Sequence, residues 1–275
     1  MPPRPPPCPP YPRIIAHRGG GALAPENTLA GIRIAHRLGC RGVEFDVMLT
    51  ADGVPILMHD DTLERTTDGA GPVAAMMAAA LARLDAGGKH HPAFAVSPPP
   101  TFAQALRLCG ELGLWLNAEI KPTPGTDAAT GRAVAAVAEL AAAHWKKNPA
   151  QSSAQNLAQN SPQHPAPPPA LVLSSFSPAA LQAAMATAPA IPRALLLGEA
   201  PADWRALLDS CGASALHVAA GVATADPAAL RTLCASGLPV ACYTVNDREI
   251  AAALFAAGVT AIFTDRPDLW LPGEM

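Results

Sequence analysis

Val43-Glu44-Phe45-Asp46-Val47 alternates apolar and acidic residues with a period of two. Alternate residues of a β-strand share a face, so Glu44 and Asp46 point one way and Val43, Phe45 and Val47 the other. Burying two carboxylates side by side is costly unless a cation neutralises them. The stretch therefore reads as a strand whose outer face packs against helices and whose inner face carries a polar site. Its neighbours repeat the pattern. Ile14-Ile15-Ala16 runs into His17-Arg18-Gly19-Gly20, Pro55–Met58 runs into His59-Asp60-Asp61-Thr62, and Leu114–Ile120 carries Glu119 and leads into Lys121-Pro122. Chemistry-bearing side chains thus fall at or just past the ends of apolar strands.

Around these stretches, short apolar runs alternate with Ala-rich helical segments. Strands are predicted at 13–16, 42–47, 114–120, 170–173, 193–196, 215–218, 240–244 and 261–263. Helices are predicted at 28–38, 101–112, 130–146, 178–186, 202–210, 227–236 and 247–257. Eight strands separated by helices is the number that closes a parallel (β/α)8 barrel, so the expected fold is α/β, a TIM barrel. Two segments break the rhythm. Residues 56–100, ending in Pro98-Pro99-Pro100, read as a small insertion between strand 2 and strand 3, on the catalytic face, with a short extra strand at 55–58. Residues 148–169, rich in Gln, Asn, Ser and Pro, bury too little apolar surface to offset their ordering entropy and read as a flexible polar loop.

The chain has 275 residues, which fits one barrel domain over 13–275 preceded by a Pro-rich N-terminal tail at 1–12. Residues 1–12 lack an apolar core and do not read as a secretory signal; proline fixes φ and removes backbone donors, so an extended tail is expected. Hydrophobic residues make up 50% and aromatic ones only 4%, so the core must be built from Ala, Leu, Val and Ile. A formal net charge of −3 without a long basic run argues against nucleic acid as a partner. The six cysteines form no Cys-x-x-Cys pair and read as free, buried thiols of a reducing compartment. No apolar run reaches the ~20 residues of a membrane span. A cytoplasmic protein without stable membrane association is expected. The oligomeric state stays open, and a homodimer is one arrangement the sequence admits.

In a parallel barrel, active sites lie at the C-terminal ends of the strands, where all of these polar groups fall. Glu119 adds a third oxygen ligand to Glu44 and Asp46. Three carboxylates with no cysteine nearby favour a hard cation, Mg²⁺ or Ca²⁺, over zinc. His17 and His59 titrate near neutrality and can divide the work of general base and general acid. Arg18 offers a planar fork to a phosphate, and Gly19-Gly20-Gly21 lets backbone approach a ligand closely.

Seven strings now carry a resemblance. They are His17-Arg18-Gly19, Pro25-Glu26-Asn27-Thr28, Val43-Glu44-Phe45-Asp46-Val47, the run from His59 to Gly69, Glu119-Ile120-Lys121-Pro122, Tyr243-Thr244-Val245-Asn246 and Thr264-Asp265-Arg266-Pro267. In this order, from about Arg13 to Leu269, the chain resembles the glycerophosphodiester phosphodiesterase family, and its bacterial cytoplasmic branch in particular. The resemblance implies metal-dependent hydrolysis of a small-molecule glycerophosphodiester to sn-glycerol 3-phosphate and an alcohol. It implies metal ligands at Glu44, Asp46 and Glu119, acid/base histidines at His17 and His59, and phosphate-binding cations at Arg18 and Lys121. Water or the substrate's own glycerol hydroxyl can serve as nucleophile, and the division of acid and base stays open, with His17 as base the preferred assignment. The chain departs from the family in its long polar loop and in Ala219-Ala220 after His217-Val218, where a polar residue is expected.

Softer candidates surround this set. Phe176, His217 and Tyr243 are taken as substrate contacts, with core packing the alternative for the first two. Glu26 and Asn27 either line the site or cap the first helix. Asn246 and Asp265 either bond the site or cap turns. His36, His90, His91, His144 and His164 read as surface groups. Two other functions compete: a phospholipase-type phosphodiesterase or lyase acting on intact lipid, and a non-catalytic binding barrel.

Overall fold

A computed structural model describes residues 5–148, 169–199 and 201–270. In chain order the main elements are β1 (Ile14–Ala16), α1 (Leu29–Arg37), β2 (Gly42–Leu49), β3 (Pro55–Leu57), α2 (Ala78–Leu81), α3 (Phe102–Leu112), β4 (Trp115–Ile120) and α4 (Asp127–Lys147). Then follow β5 (Ala170–Ser175), α5 (Pro178–Thr187), β6 (Arg193–Leu197), α6 (Trp204–Ser210), β7 (Ala215–Ala219), α7 (Ala220–Ala225), α8 (Pro227–Cys234), β8 (Val240–Tyr243), α9 (Arg248–Ala256) and β9 (Ala261–Thr264).

The sheet runs β1-β9-β8-β7-β6-β5-β4-β2, and β1 pairs with β2, so the parallel strands close on themselves. The fold is the expected (β/α)8 barrel. β3 pairs antiparallel with β2, Val47 opposite Leu57, and opens the insertion that ends where α3 begins. The predicted boundaries hold to within a few residues, but α7 lies directly after β7 and was not foreseen. Its six residues, Ala-Gly-Val-Ala-Thr-Ala, carry no cap or periodic apolar stripe to announce it. Residues 149–168 of the predicted loop, and His164 within it, lie outside the described residues.

Local chemistry explains the helix ends. Thr101 caps α3 through Gln104 N while the Gln104 side chain bonds back to Thr101 N, a reciprocal capping box. Thr28 caps α1 and Ser177 caps α5 by the same side-chain-to-amide bond. The outer faces of the strands pack on these helices: Phe45 of β2 meets Phe102 of α3 edge-on, with ring centroids 6.0 Å apart.

The barrel interior is layered. At its N-terminal end lie Ile15, Trp115, Val172, Ala194, Ala215, Ala241, Ala261 and Phe263. So many alanines leave volume unfilled, and close-packed interiors do not tolerate that. The N-terminal segment, which has no helix or strand over residues 5–12, supplies the missing atoms by packing on this layer. The Tyr11 ring packs 4.6 Å from Trp115, and Cys8 Sγ lies 3.3 Å from Ser214 Oγ. Tyr11 therefore plugs the bottom of the barrel. Toward the C-terminal end, apolar layers give way to Glu44, Asp46, Asn117 and Glu119. Among the described residues no helix is long and apolar enough to cross a membrane.

Candidate active site

Strand register sets the carboxylates. β2 pairs with β4 so that Glu44 stands opposite Asn117 and Asp46 opposite Glu119. All four alternate inward. One oxygen from each of Glu44, Asp46 and Glu119 lies within 4.8 Å of the others. Glu44 is 4% exposed and Asp46 2%. Burial, reinforced by the charge of Asp46, pushes the Glu44 carboxyl up to about 7, against the pull of His17 and Arg18. Burial and the charges of Asp46 and Glu44 hold Glu119 well above the usual carboxylate range, with Lys121 and Arg18 opposing. Three carboxylates compete for too little positive charge.

Asp46 is held from several sides. Asn27 Nδ2 donates to Asp46 Oδ2 at 2.8 Å, and the Asp46 amide donates to Asn27 Oδ1 at 3.0 Å. Lys121 Nζ and Arg18 Nε each stand 3.7 Å from an Asp46 oxygen. Arg18 and Asn27 both adopt positive φ, 53° and 55°. That conformation is uncommon outside glycine, and asparagine tolerates it better than most residues. At Arg18 it lets the backbone amide donate to Glu44 Oε2 at 2.9 Å, so strain sits where the site is built.

Both histidines are oriented by a carboxylate. His17 Nδ1 lies 2.7 Å from Asp265 Oδ1, and Asn246 Nδ2 donates to the other Asp265 oxygen at 3.0 Å. His17 Nε2 then faces Glu44 Oε2 at 3.8 Å. Burial presses the His17 pKa down, but the hydrogen bond to Asp265 and the charges of Glu44 and Asp265 outweigh it, so the net shift is upward. Asp265 is itself burdened by burial, yet His17, Asn246 and Arg18 bring its pKa below the usual value. His59 Nδ1 lies 2.6 Å from Asp60 Oδ1. Hydrogen bonds from Arg65 hold Asp60 far below the usual range, with His59 assisting.

Two cavities meet at His17. An open one of about 650 Å³ is lined by His17, Arg18, Glu26, His90, Asn246 and Arg266, among others. A small one of about 30 Å³ lies among His17, Glu44, Asn117, Glu119, His217 and Tyr243. Tyr243 donates its hydroxyl to Leu197 O at 3.1 Å, and burial raises its pKa. Phe176 is 51% exposed and meets the Tyr243 ring edge-on at 6.0 Å. A further groove of about 530 Å³ between α3 and α4 lies outside the barrel, away from these groups.

His217, expected either as a substrate contact or as core, lines the smaller cavity but sits deep in the barrel. It pairs with Ala241 one layer below Tyr243, is 1% exposed, and its Nε2 is 3.1 Å from the Tyr11 hydroxyl. Burial drives its pKa down to about 3, so it is a neutral core histidine under the site. His90 is exposed, as expected, yet it lines the larger cavity beside His17.

The structure brings His17, Arg18, Glu44, Asp46, Glu119 and Lys121 to one end of the barrel, and sets His59 on the insertion beside them. Three positioning groups, Asn117, Asp60 and Arg65, have no role assigned from the sequence, whereas Asp265 is expected there either as a site group or as a turn cap. Asn117 shares the inward face of β4 with Glu119, two residues away, a period that points to it. Asp60 directly follows His59. Asp265 directly follows β9, which pairs with β1 immediately before His17, a neighbourhood only the closed sheet makes apparent. Arg65 carried no local signal.

Comparison with known proteins agrees with this geometry. Residues 17–269 match the model of the glycerophosphoryl diester phosphodiesterase family. A Bacillus subtilis putative glycerophosphodiester phosphodiesterase is 29% identical over 258 residues, covering 93% of this chain and 95% of that protein. A glycerophosphodiester phosphodiesterase of Caldanaerobacter subterraneus subsp. tengcongensis is 42% identical over 108 residues, a segment spanning 39% of this chain and 44% of that relative. The matched segment of a mouse glycerophosphodiester phosphodiesterase 1 spans 33% of its length, so the match covers less than half of these two relatives. Among solved structures, an Oleispira antarctica phosphodiesterase in complex with the product sn-glycerol-3-phosphate is 33% identical, covers 94% of both chains and superposes with a TM-score of 0.77. A putative glycerophosphoryl diester phosphodiesterase from Silicibacter pomeroyi is 26% identical, covers 98% of this chain and 93% of that one, and has a TM-score of 0.72.

Proposed function

Because the chain belongs to the glycerophosphoryl diester phosphodiesterase family, we propose that it hydrolyses glycerophosphodiesters to sn-glycerol 3-phosphate and an alcohol, using two histidines and a divalent cation. One observation carries the reading. Three inward carboxylates converge beside a histidine whose Nδ1 is fixed by Asp265 and whose Nε2 faces them.

The donor set fits a hard cation, Mg²⁺ or Ca²⁺. Glu44, Asp46 and Glu119 offer only oxygen, and the upward shifts of Glu44 and Glu119 record a charge that Arg18 and Lys121 do not balance. When bound there, the cation withdraws charge from the phosphoryl oxygens. The chain's own residues do the rest. Arg18 and Lys121 hold the phosphate and favour the charge that builds on it in the transition state. Asp265 and Asp60 each occupy an Nδ1, leaving the Nε2 of His17 and of His59 to carry a proton. His17 is assigned as the base that deprotonates the nucleophile, and His59 as the acid that protonates the departing alkoxide. Phe176 and Tyr243 offer an apolar surface to the carbons of the glycerol.

The test is release of glycerol 3-phosphate from glycerophosphocholine and glycerophosphoethanolamine, with and without chelator. Release that chelator abolishes is the expected result. No release from several headgroups, while intact phospholipid is cleaved, would replace this reading by a lipid-directed diesterase. No turnover of either would leave a binding barrel. His17→Ala and His59→Ala should each lower turnover by about 100-fold or more, the usual worth of a general acid or base.

A further inference from the structure

Arg65 belongs to the insertion, yet its guanidinium closes on the loop between β1 and α1. It donates to both oxygens of Asp60, Nε to Oδ2 at 2.5 Å and Nη2 to Oδ1 at 2.9 Å. It also donates to both oxygens of Glu26, Nη1 to Oε2 at 2.7 Å and Nη2 to Oε1 at 2.8 Å. Asp60 holds His59, and Glu26 Oε1 accepts a bond from Arg18 Nη1 at 3.0 Å. One planar cation thus joins the carboxylate behind His59 to the carboxylate behind Arg18. A lysine could not do this, because an ammonium is a point charge without the fork.

Charge sharing gives the bridge a consequence for Arg18. Glu26 is the carboxylate nearest the Arg18 guanidinium, and two cations divide it: Arg65 takes two hydrogen bonds and Arg18 only one. Arg18 Nε makes no hydrogen bond and is buried, facing Asp46 at 3.7 Å. Donors on Arg18 are therefore left over for an anion. Without Arg65, Glu26 would have its full charge for Arg18, and a paired fork of two bonds is the strong form of that contact. Arg65 is about half exposed, so an isolated pair there would be worth little. Four bonds to two carboxylates make it a network rather than an isolated pair.

We propose that Arg65 is a positioning residue that occupies Glu26 so that Arg18 stays available to the substrate phosphate, while it holds Asp60 against His59. This rests on the proposed function for its link to turnover, but its effect on Arg18 does not require turnover. The experiment measures KM and kcat on glycerophosphocholine, and the dissociation constant of inorganic phosphate by calorimetry in Mg²⁺ buffer. The proteins are wild type, Arg65→Ala, Glu26→Gln and the double variant. Arg65→Ala should raise KM and the phosphate dissociation constant about tenfold, the worth of a charge-assisted hydrogen bond. Adding Glu26→Gln to it should return phosphate binding to within about threefold of wild type, because an uncharged amide then stands where the freed carboxylate was. Arg65→Lys carries the same comparison if Arg65→Ala does not fold, since it keeps the charge and loses the bridge.

A double variant no better than Arg65→Ala would overturn the proposal. So would an Arg65→Ala protein that melts earlier with KM and phosphate affinity unchanged, for that marks a purely structural clamp. Phosphate binding that follows this pattern across the variants, with a wild type that hydrolyses no glycerophosphodiester, would sink the proposed function and leave the assignment of Arg65 standing.

Discussion

His17 Nδ1 stands 2.7 Å from Asp265 Oδ1 across the seam where β1 meets β9. An ionised carboxylate only accepts hydrogen bonds, so Nδ1 carries the proton and Nε2 is left free toward Glu44. Asp265 fixes both the tautomer and the ring plane.

Asp265→Asn should therefore impair turnover without disturbing the barrel. An amide can present its NH₂ to Nδ1 and select the wrong tautomer, and a loss of about 10²–10⁴-fold in kcat is expected. The pH–rate profile should move as well. The hydrogen bond and charge of Asp265 raise the His17 pKa, so removing the charge shifts the His17 limb to lower pH. An unshifted profile with near-normal kcat would remove Asp265 from the mechanism.

Cation binding should be linked to pH through Glu44. Its folded pKa of about 7 lies above the ordinary 4.5, so the folded, metal-free protein keeps a proton that the unfolded chain releases. This group's contribution to stability is complete below about 4.5 and is lost as pH rises toward about 7. Glu119 and His17, both raised, act in the same direction. His217 acts oppositely: lowered to about 3, it must charge on unfolding as pH falls below its ordinary 6.5. Bound Mg²⁺ or Ca²⁺ replaces the proton on the carboxylates and leaves His217 untouched. The difference in Tm between cation and chelator should thus grow steadily from about pH 4.5 to pH 7, as followed by calorimetric scans. A difference independent of pH would show that the ion binds elsewhere.

The architecture and much of this site are legible in the one-dimensional chain because barrel strands carry their chemistry at a fixed end. Glu44 and Asp46 announce themselves by alternation within one strand, and His17 and Lys121 by their position just past strand ends. Contacts between distant segments are not legible in the same way. Asp265 reaches His17 only once β9 has closed on β1. Arg65 reaches Glu26 through an irregular insertion that has no periodicity to read. His217 lies on an inward strand face, which leaves both a site and a core reading open, because depth within the barrel, one layer below Tyr243, is set by strand stagger and not by alternation. The packing of the tail is illegible for a related reason. Proline content reports an extended backbone and does not report that Tyr11 has an alanine-lined void to fill.

Asn27 tests how far the proposed metal ligands depend on their support. It bonds Asp46 through both its amide oxygen and its amide nitrogen, at 3.0 and 2.8 Å. Groups that hold a ligand in place commonly govern metal affinity by 10–100-fold. Asn27→Ala should weaken Mg²⁺ or Ca²⁺ binding by about that factor, measured by titration calorimetry, with activity recovered at high cation concentration. Asn27→Asp should be worse, because it adds a fourth negative charge to the cluster. Unchanged affinity in Asn27→Ala would show that Asp46 needs no such support, or that it is not a ligand.

Tyr11 separates the two ends of the barrel. Its ring packs on Trp115 and its hydroxyl meets His217 Nε2 at 3.1 Å. Tyr11→Ala would open a cavity at the alanine-lined floor and leave a buried imidazole nitrogen without a partner. Losses of this kind come to about 3 kcal/mol, which lowers Tm by roughly 5–10 °C in a domain of this size. Tyr11→Phe keeps the ring and loses only the hydroxyl, so about 1 kcal/mol is expected. Below its melting range, Tyr11→Phe should turn over glycerophosphodiesters with wild-type KM, the outcome expected where the His217 ring it touches serves as a floor residue rather than a substrate contact. A clear rise in KM with unchanged Tm would reverse that assignment and return His217 to the substrate-binding set.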